Sequence, residues 1–302
     1  MPRTDAGPGM RISTRAFHVH KRGGTEDEYE DAFFPDGFAE QVRGFRCAVA
    51  DGASESAFAS QWAQLLVDAF GRRELHLAHL QAKWQKSIGG KRLPWFLEKK
   101  ARRGAFAALI GLSIRAAGAA TARARIAANR AVASVSAADW MPQAPGSRDN
   151  GSDESHSNGW HTGSGCHRGE IDGTWRAIAV GDSCLFQVRD DELITVGPLS
   201  RSDQFDNSPF LLGSKSAQSI GRNAPHVSVH AGTWSRNDRF YLATDAMAQW
   251  LLLRDEAGLP PWTMLRELGE QDTLPFDELV TEMRLEHDLH NDDTTLLRVE
   301  VS

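Results

Sequence analysis

The sequence is poor in the residues that build disulfide frameworks and structural zinc sites. Its 302 residues include only three cysteines, Cys47, Cys166 and Cys184, and they form no C-x-x-C pair. A four-cysteine zinc site needs such pairs, and a disulfide framework needs more closely spaced cysteines. We therefore expect neither kind of site, and the cysteine usage favours a reducing compartment.

Long hydrophobic runs and an excess of basic residues are also missing. The most apolar stretch, residues 104–114, is far shorter than the ~20 residues of a membrane-spanning helix. Residues 1–17 contain no apolar segment typical of a signal peptide. The formal charge of −6 argues against a dedicated nucleic-acid-binding protein. We expect a cytoplasmic protein with neither a membrane nor a nucleic acid as partner.

The apolar content, at 41%, is sufficient for a real core, and we treat residues 10–302 as a single domain. Residues 115–173 differ in composition from the rest. Their first part is rich in Ala and Arg and could form a helix, while residues 142–173 are rich in Gly, Ser, Asn, Asp and His. We predict a low-complexity insertion between two strands, with its second half disordered.

A basic stretch overlaps this insertion. Residues 99–130 contain eight basic residues and no acid, so they could attract phosphorylated protein or nucleic acid. Aromatic residues for base stacking are nearly absent after Phe106. We interpret the stretch as a solvated helix and insertion surface.

A strand, an acidic turn and a helix are predicted early in the chain. Residues 47–50 are a short apolar run that stops at Asp51, as in a buried strand that ends in a turn. The apolar spacing that follows predicts a helix, with Ser54 or Ser56 as its N-cap and Gly71 at its C-cap.

Further strands are predicted along the rest of the chain. Residues 104–114 form a buried strand candidate, although periodicity does not separate it from a helix. Residues 175–188 form a long strand interrupted at 181–182, followed by a hairpin partner at 193–196. Strands are also expected at 238–245 and at the C-terminal end.

Acidic residues lie at the edges of four of these apolar strands. A single aspartate at a strand end is an ordinary turn residue. If the strands are neighbours, however, several carboxylates share one small volume, and their repulsion is tolerable only with a cation. Such an all-oxygen cluster suits Mg²⁺ or Mn²⁺ rather than zinc. The acids are Glu30 with Asp31, Asp51, Asp245, and Asp292 with Asp293.

The order and local sequence of these acids resemble the PPM (2C) family of metal-dependent protein phosphatases. The matching motifs are E-D at 30–31, V-A-D-G at 49–52, A-V-G-D-S at 179–183, A-T-D at 243–245 and N-D-D-T-T at 291–295. The A-S-E-S text at 53–56 is similar to bacterial members with D-G-A-T/S-E in place of D-G-H-G-G.

The resemblance implies an α+β fold, the PP2C-like αββα sandwich, in which two central antiparallel sheets are flanked by helices. A site for two Mn²⁺ or Mg²⁺ ions would lie at one edge of the sandwich. Asp51 would bridge both metals, the Gly52 carbonyl would hold one of them, and Glu30, Asp245 and Asp292 would hold the other.

Two further acids have less direct roles in the resemblance. Asp31 would orient a ligand or a metal-bound water. Asp182 matches a position that some bacterial members use for a third metal.

The activity implied is hydrolysis of phosphoserine and phosphothreonine in proteins. Two divalent cations lower the pKa of a bridging water and neutralise the transferring phosphoryl group, so no covalent enzyme intermediate is needed. The implied partners are a phosphorylated protein substrate and a cognate Ser/Thr kinase, and we expect a monomer.

Two departures from the family pattern bear on activity. The histidine after D-G, the family's candidate proton donor, is replaced, so His287 or His290 becomes the candidate donor. The family's phosphate-binding arginine corresponds to Glu26, and Lys21 or Arg22 could take its place, although lysine lacks the bidentate fork.

The departures leave alternative functions open. One is a catalytically weak or inactive 2C-like regulatory module that binds a phosphoprotein or kinase. The other is a phosphatase for a small phosphorylated metabolite.

Overall fold

Two antiparallel β-sheets pack face to face, with helices on their outer faces, in a computed structural model of the chain. The structure describes residues 9–35, 37–90, 94–117, 160–163, 171–205, 209–215, 227–270 and 275–302. Its two-sheet architecture confirms the α+β sandwich expected from the sequence.

The first sheet has seven strands in the order β3-β1-β13-β12-β8-β9-β6. The strands are β1 (Met10–Val19), β3 (Gly37–Val42), β6 (His161–Thr162), β8 (Cys184–Arg189), β9 (Glu192–Gly197), β12 (Arg239–Ala243) and β13 (Thr294–Val301). The C-terminal strand therefore lies inside the sheet, between β1 and β12.

The second sheet has the order β11-β7-β5-β4-β2, and a short sixth strand, β10, also pairs with β5. Its strands are β2 (Ala32–Phe34), β4 (Gly44–Gly52), β5 (Phe106–Ala116), β7 (Gly173–Val180), β10 (Leu212–Gly213) and β11 (Ser228–Trp234).

Helices cover both outer faces. On the second sheet, α1 (Ala59–Arg72) and α2 (Leu77–Ile88) pack onto β4 and β5, and α3 (Trp95–Arg103) precedes β5. On the first sheet, α4 (Asp245–Glu256), α5 (Trp262–Glu267) and α6 (Phe276–Leu285) pack onto β8, β12 and β13. None of the helices in the described ranges is long and apolar enough to cross a membrane.

The alternation of side chains along β4 shows how the layers are built. Cys47 and Val49 point into the core between the sheets, whereas Ala48 and Ala50 point toward α1. Small residues on the helix side allow α1 to lie close to the sheet, which brings the end of β4 under the start of the helix.

The predicted strand and helix around Asp51 are present, but both predicted helix caps are wrong. The residue before α1 is Phe58, in the left-handed region at φ 63°, and neither Ser54 nor Ser56 caps the helix. The helix ends at Arg72, and the residue after it, Arg73, is also left-handed at φ 63°. Gly71 lies inside α1, where a Cβ would be 2.2 Å from Cε1 of Phe34, so this position needs a glycine for packing.

The run at 175–188 is not one strand. It forms β7 and β8, which belong to different sheets, with Gly181 at φ 93° in the connection. The predicted hairpin with β9 is confirmed, and its turn holds Asp190 and Asp191 at φ 50° and 60°.

The two ends of the proposed insertion are neighbours in the sheet. Ala116 pairs with Gly173, so residues 117–172 connect adjacent ends of β5 and β7. The Ala-rich part from residue 118 onward lies outside the described residues. The single-domain boundaries remain a prediction.

The expected disorder of 142–173 is wrong for residues 160–163. Trp160 stacks on His230 with ring centroids 4.8 Å apart, and its Nε1 donates to Ser228 Oγ at 2.6 Å. Residues 161–162 then pair with β9. One buried tryptophan, 9% exposed, anchors this part of a polar segment.

A glycine in β5 tests the close contact between α1 and the second sheet. A Cβ at Gly111 would lie 2.6 Å from the Phe70 ring, so we expect Gly111→Ala to lower the free energy of unfolding by about 1–3 kcal/mol. Urea denaturation measures the change. Gly90→Ala, where a Cβ meets nothing within 4 Å, is the control; equal effects of the two substitutions would contradict the packing.

Candidate metal centre

Acidic residues lie next to several strand ends at one edge of the first sheet. Ala243 at the end of β12 pairs with both Cys184 at the start of β8 and Leu296 in β13. Asp182 lies two residues before β8 starts, Asp245 begins α4, and Asp292 lies just before β13. Three separate segments therefore deliver a carboxylate to the same edge.

The second sheet brings its own acids to this edge. Asp51 near the end of β4 pairs with Ala108, and the neighbouring Leu109 pairs with Val180 at the end of β7. Asp31 lies just before β2, the other neighbour of β4. The connection from β7 to β8, which contains Asp182, joins the two sets of acids.

The electrostatics of Asp51 show that the acids are close. Burial raises the pKa of this carboxyl well above its usual range, and the negative charges of Asp31, Asp245, Asp182 and Asp292 raise it further. The ionised form of Asp51 is therefore disfavoured unless a positive charge is nearby.

Asp31 is only 5% exposed and is incompletely hydrogen-bonded. Its Oδ2 accepts from Thr295 Oγ1 at 2.6 Å, whereas its Oδ1 has no hydrogen-bond partner. Burial raises the pKa of Asp31, and Asp293 and Asp245 add to the effect. A buried carboxylate oxygen without a partner is a strong acceptor that remains available to a cation.

Asp245 completes the centre of the cluster. Its Oδ1 accepts from the Ala246 amide at 2.5 Å, and its side chain is within hydrogen-bond reach of Asp51. Burial raises the pKa of Asp245, the charge of Asp292 raises it further, and nearby His290 lowers it. Two carboxylates in such contact need a proton or a cation between them.

Asp293 has a different role from Asp292. Its two oxygens accept from the backbone amides of Lys21 at 2.8 Å and Glu30 at 2.7 Å. These bonds tie the segment between β1 and β2 to the start of β13. Asp293 therefore positions Lys21 and Glu30 at the acidic edge.

Lys21 carries a positive charge into the site. Its Nζ lies 3.1 Å from Glu30 Oε2 and donates to Ser54 Oγ at 2.7 Å. Partial burial acts to lower the pKa of Lys21, but Glu30, Asp293 and Asp292 outweigh it and raise the pKa. Glu30, expected as a metal ligand, is thus paired with Lys21.

Gly52 lies where β4 passes Glu30. A Cβ at Gly52 would be 2.5 Å from the Glu30 carbonyl oxygen and 3.0 Å from the Ala59 Cβ. The glycine allows the segment that carries Glu30 and Asp31 to lie against the end of β4.

Sequence reasoning missed two residues that support the cluster. Arg284 in α6 donates from Nη1 to the His20 carbonyl at 2.9 Å, and its Nη2 contacts the Asp292 carbonyl. Thr295 bonds Asp31 and also contacts the Tyr29 hydroxyl. Thr295 lies within the motif at 291–295, whereas nothing in the sequence around Arg284 points to the site.

The residues present fit a hard divalent cation in their chemistry. Every donor is an oxygen, and the unpartnered Asp31 oxygen and the mutual repulsion of Asp51 and Asp245 both call for positive charge. Within the described ranges, no three His, Cys, Asp or Glu side chains already converge as metal ligands. The carboxylates would have to turn inward to hold an ion.

No family model and no curated protein matches the chain. Several solved structures do resemble it. The catalytic domain of serine threonine protein phosphatase PstP with two manganese ions matches at 14% identity and TM-score 0.46, over 97% of this chain and 99% of that one. RsbX with magnesium matches at 14% identity and TM-score 0.40, over 97% and 96%.

A third match carries the family name. The PPM Ser-Thr phosphatase MsPP from Mycobacterium smegmatis, in complex with cacodylate, has 12% identity and TM-score 0.41, over 95% of this chain and 97% of that one. Solved protein phosphatases are thus among the structures similar to this chain. Structural similarity at 12–14% identity says nothing about the activity of this chain.

The raised pKa values predict an unusual pH dependence for the metal-free protein. A carboxyl with a folded pKa above its usual 3.8 favours folding only while it is protonated. Its contribution is lost as the pH rises from 3.8 through the folded value. In EDTA at pH 7, we therefore expect Asp51→Asn to raise the free energy of unfolding by roughly 0.5–2 kcal/mol.

Urea denaturation of the wild type and the variant, with EDTA and with excess Mn²⁺, measures this effect. Mn²⁺ should stabilise the wild type and leave Asp51→Asn nearly unchanged, because only a native state that binds the ion gains stability. Asp68→Asn on the surface of α1 is the control and should shift stability by less than about 0.5 kcal/mol. A less stable Asp51→Asn protein in EDTA would contradict the electrostatic account.

Proposed function

We propose that this chain is a Mn²⁺- or Mg²⁺-dependent phosphatase that removes phosphate from serine and threonine residues of proteins. The observation that carries the proposal is the cluster of Asp31, Asp51, Asp182, Asp245 and Asp292, whose charges act on one another at the edge of both sheets. These acids come from several segments and lie close together, and few basic side chains among the described residues offset their charge. Such an arrangement is typical of a metal centre rather than of turns.

Asp51, Asp245 and Asp292 are the proposed carboxylate ligands, together with the Gly52 carbonyl. Asp31 is the better candidate than Glu30 for direct contact with a metal or its water, because its Oδ1 is unpartnered while Glu30 is paired with Lys21. Asp182, whose charge also acts on Asp51, is the proposed ligand of a third ion. A pair of such ions would activate a water and offset the phosphoryl charge.

Lys21 is the proposed phosphate contact of the protein. Its ammonium group is only partly buried and bonds Ser54 at 2.7 Å, so it faces the turn that follows Gly52. Arg22 is tied to Asn291 through its backbone, with its amide 2.7 Å from Asn291 Oδ1. Lys21 is favoured over Arg22 for this role because its own ammonium group contacts Glu30 and Ser54.

His290 is the proposed proton donor to the leaving oxygen. It is exposed and lies close enough to Asp245 for its charge to lower the pKa of that acid. A histidine changes its charge near neutral pH, which suits a general acid.

A surface cavity beside the acids supports a protein substrate over a small metabolite. Its volume is about 480 Å³, and its walls include His290, Gln249, Trp250 and Leu253. Leu253 is 47% exposed and adds an apolar surface to the cavity wall. Residues flanking a phosphorylated serine or threonine could bind along these mixed polar and apolar walls.

The activity test uses a phosphothreonine peptide with Mn²⁺, Mg²⁺ or EDTA. We expect turnover that requires the metal and that falls at least about 100-fold in Asp51→Asn, because the bridging ligand is lost. Asp68→Asn should keep full activity. Full metal-stimulated turnover by Asp51→Asn would show that the site is misassigned.

A second variant separates the proton donor from the ligands. His290→Gln should slow hydrolysis of a phosphoserine peptide by about 10²–10⁴, since an alkoxide leaving group needs a proton. It should slow hydrolysis of p-nitrophenyl phosphate much less, because p-nitrophenolate leaves without one. His287→Gln is the comparison variant, and equal losses on both substrates would remove His290 from this role.

A regulatory module without turnover is a second candidate function. The ion pair of Lys21 with Glu30 supports it, because the lysine already supplies positive charge at the acidic edge. The absence of a histidine at 53–56 points the same way. Mn²⁺ binding by calorimetry with no hydrolysis of either substrate would favour this candidate.

A further inference from the structure

A second charged cavity lies on the outer face of the second sheet, beyond the C-terminal end of α1. Its volume is about 440 Å³, within the range of small-molecule sites. The lining includes four arginines, Arg46, Arg73, Arg115 and Arg176, and the hydroxyls of Ser113 and Thr174. Among the described residues, no acid lines this cavity.

Sheet register explains how these residues meet. Ser113 in β5 pairs with Arg46 on one side and with Arg176 on the other, and Arg115 pairs with Thr174. All of these positions lie on the face that carries Ala48 and Ile178, which α1 and α2 cover further along the strands. The face is open here because α1 ends at Arg72.

Contacts with the helix and the neighbouring strands hold the arginines of this cavity in place. Arg46 is half-buried, donates from Nη1 to the Phe70 carbonyl at 2.7 Å and lies over the Phe70 ring at 4.4 Å. Arg73, in the left-handed conformation after α1, comes within reach of the same strands, since both its guanidinium and Arg115 lie close to Gly44.

Among the described residues, Arg73, Arg115 and Arg176 form no ion pair. Burial, together with the like charges of Arg73 and Arg115, lowers the pKa of Arg46 to about 10. A bound anion would relieve this repulsion.

We propose that this cavity binds a small anion that carries two or more phosphoryl groups. Guanidinium groups pair with phosphate through two parallel hydrogen bonds, so one phosphoryl group engages one or two arginines. Four arginines with two hydroxyls around one cavity match a ligand with more phosphate oxygens than orthophosphate has.

The proposed anion site is separate from the acidic edge. Arg46 and Asp51 are five residues apart on β4, which corresponds to about 17 Å along the strand. The acids at that edge would repel an anion without bound metal, so binding in EDTA that is lost in arginine variants reports on the arginine cavity. The proposal does not depend on phosphatase activity.

Isothermal titration calorimetry of the full chain with inorganic pyrophosphate, in EDTA and at low salt, tests the proposal. We expect binding that weakens with added salt and is at least tenfold tighter than binding of orthophosphate. Combined Arg115→Gln and Arg176→Gln substitutions should weaken pyrophosphate binding at least tenfold. Both side chains are exposed, so folding should be unaffected, as circular dichroism would show.

The matched control is Arg72→Gln, an exposed arginine of α1 that pairs with Asp68 and does not line the cavity. It should leave pyrophosphate binding within twofold of the wild type. No detectable pyrophosphate binding, or an equal loss in Arg72→Gln and the double variant, would overturn the proposal. Equal affinities for pyrophosphate and orthophosphate would also overturn it.

Discussion

Mutual repulsion among carboxylates at the edge of the two sheets is the constraint on which the rest of the site depends. Asp51 and Asp245 come from different sheets, yet their side chains are within hydrogen-bond reach. Asp31 adds a buried oxygen without a partner. A fold that maximised its own stability would keep these acids apart. Their proximity calls for positive charge, and a divalent cation is the simplest group that would supply it.

Much of the fold could be predicted from the sequence, because acids and glycines mark the ends of the apolar strands. Residues 47–50 and the hairpin to β9 show these signals clearly. The helix caps around α1 were not predictable, since Phe58 and Arg73 adopt left-handed conformations, which are uncommon for residues other than glycine. Trp160 was missed because one buried aromatic residue leaves little trace in a polar segment.

In the site, too, local motifs could be read from the sequence, whereas contacts between distant residues could not. Motifs singled out the acids, whereas their side-chain partners are seen only in the structure: Lys21 pairs with Glu30, and Asp31 has an oxygen without a hydrogen-bond partner. The arginine cavity was not predictable, because Arg46, Arg115 and Arg176 are brought together only by strand register. Among the described residues of the basic stretch at 99–130, Arg115 lines the cavity, and the composition of the stretch alone indicated a solvated surface.

The central claim is that Asp51 and Asp245 share divalent cations, and crystallography with Mn²⁺ tests it most directly. Anomalous difference maps from crystals soaked in Mn²⁺ should show two peaks next to Asp51, with Asp245 and Asp292 turned toward one of them. Maps with no anomalous peak at this edge, and with the Asp51 and Asp245 carboxyls still in contact with each other, would contradict the account.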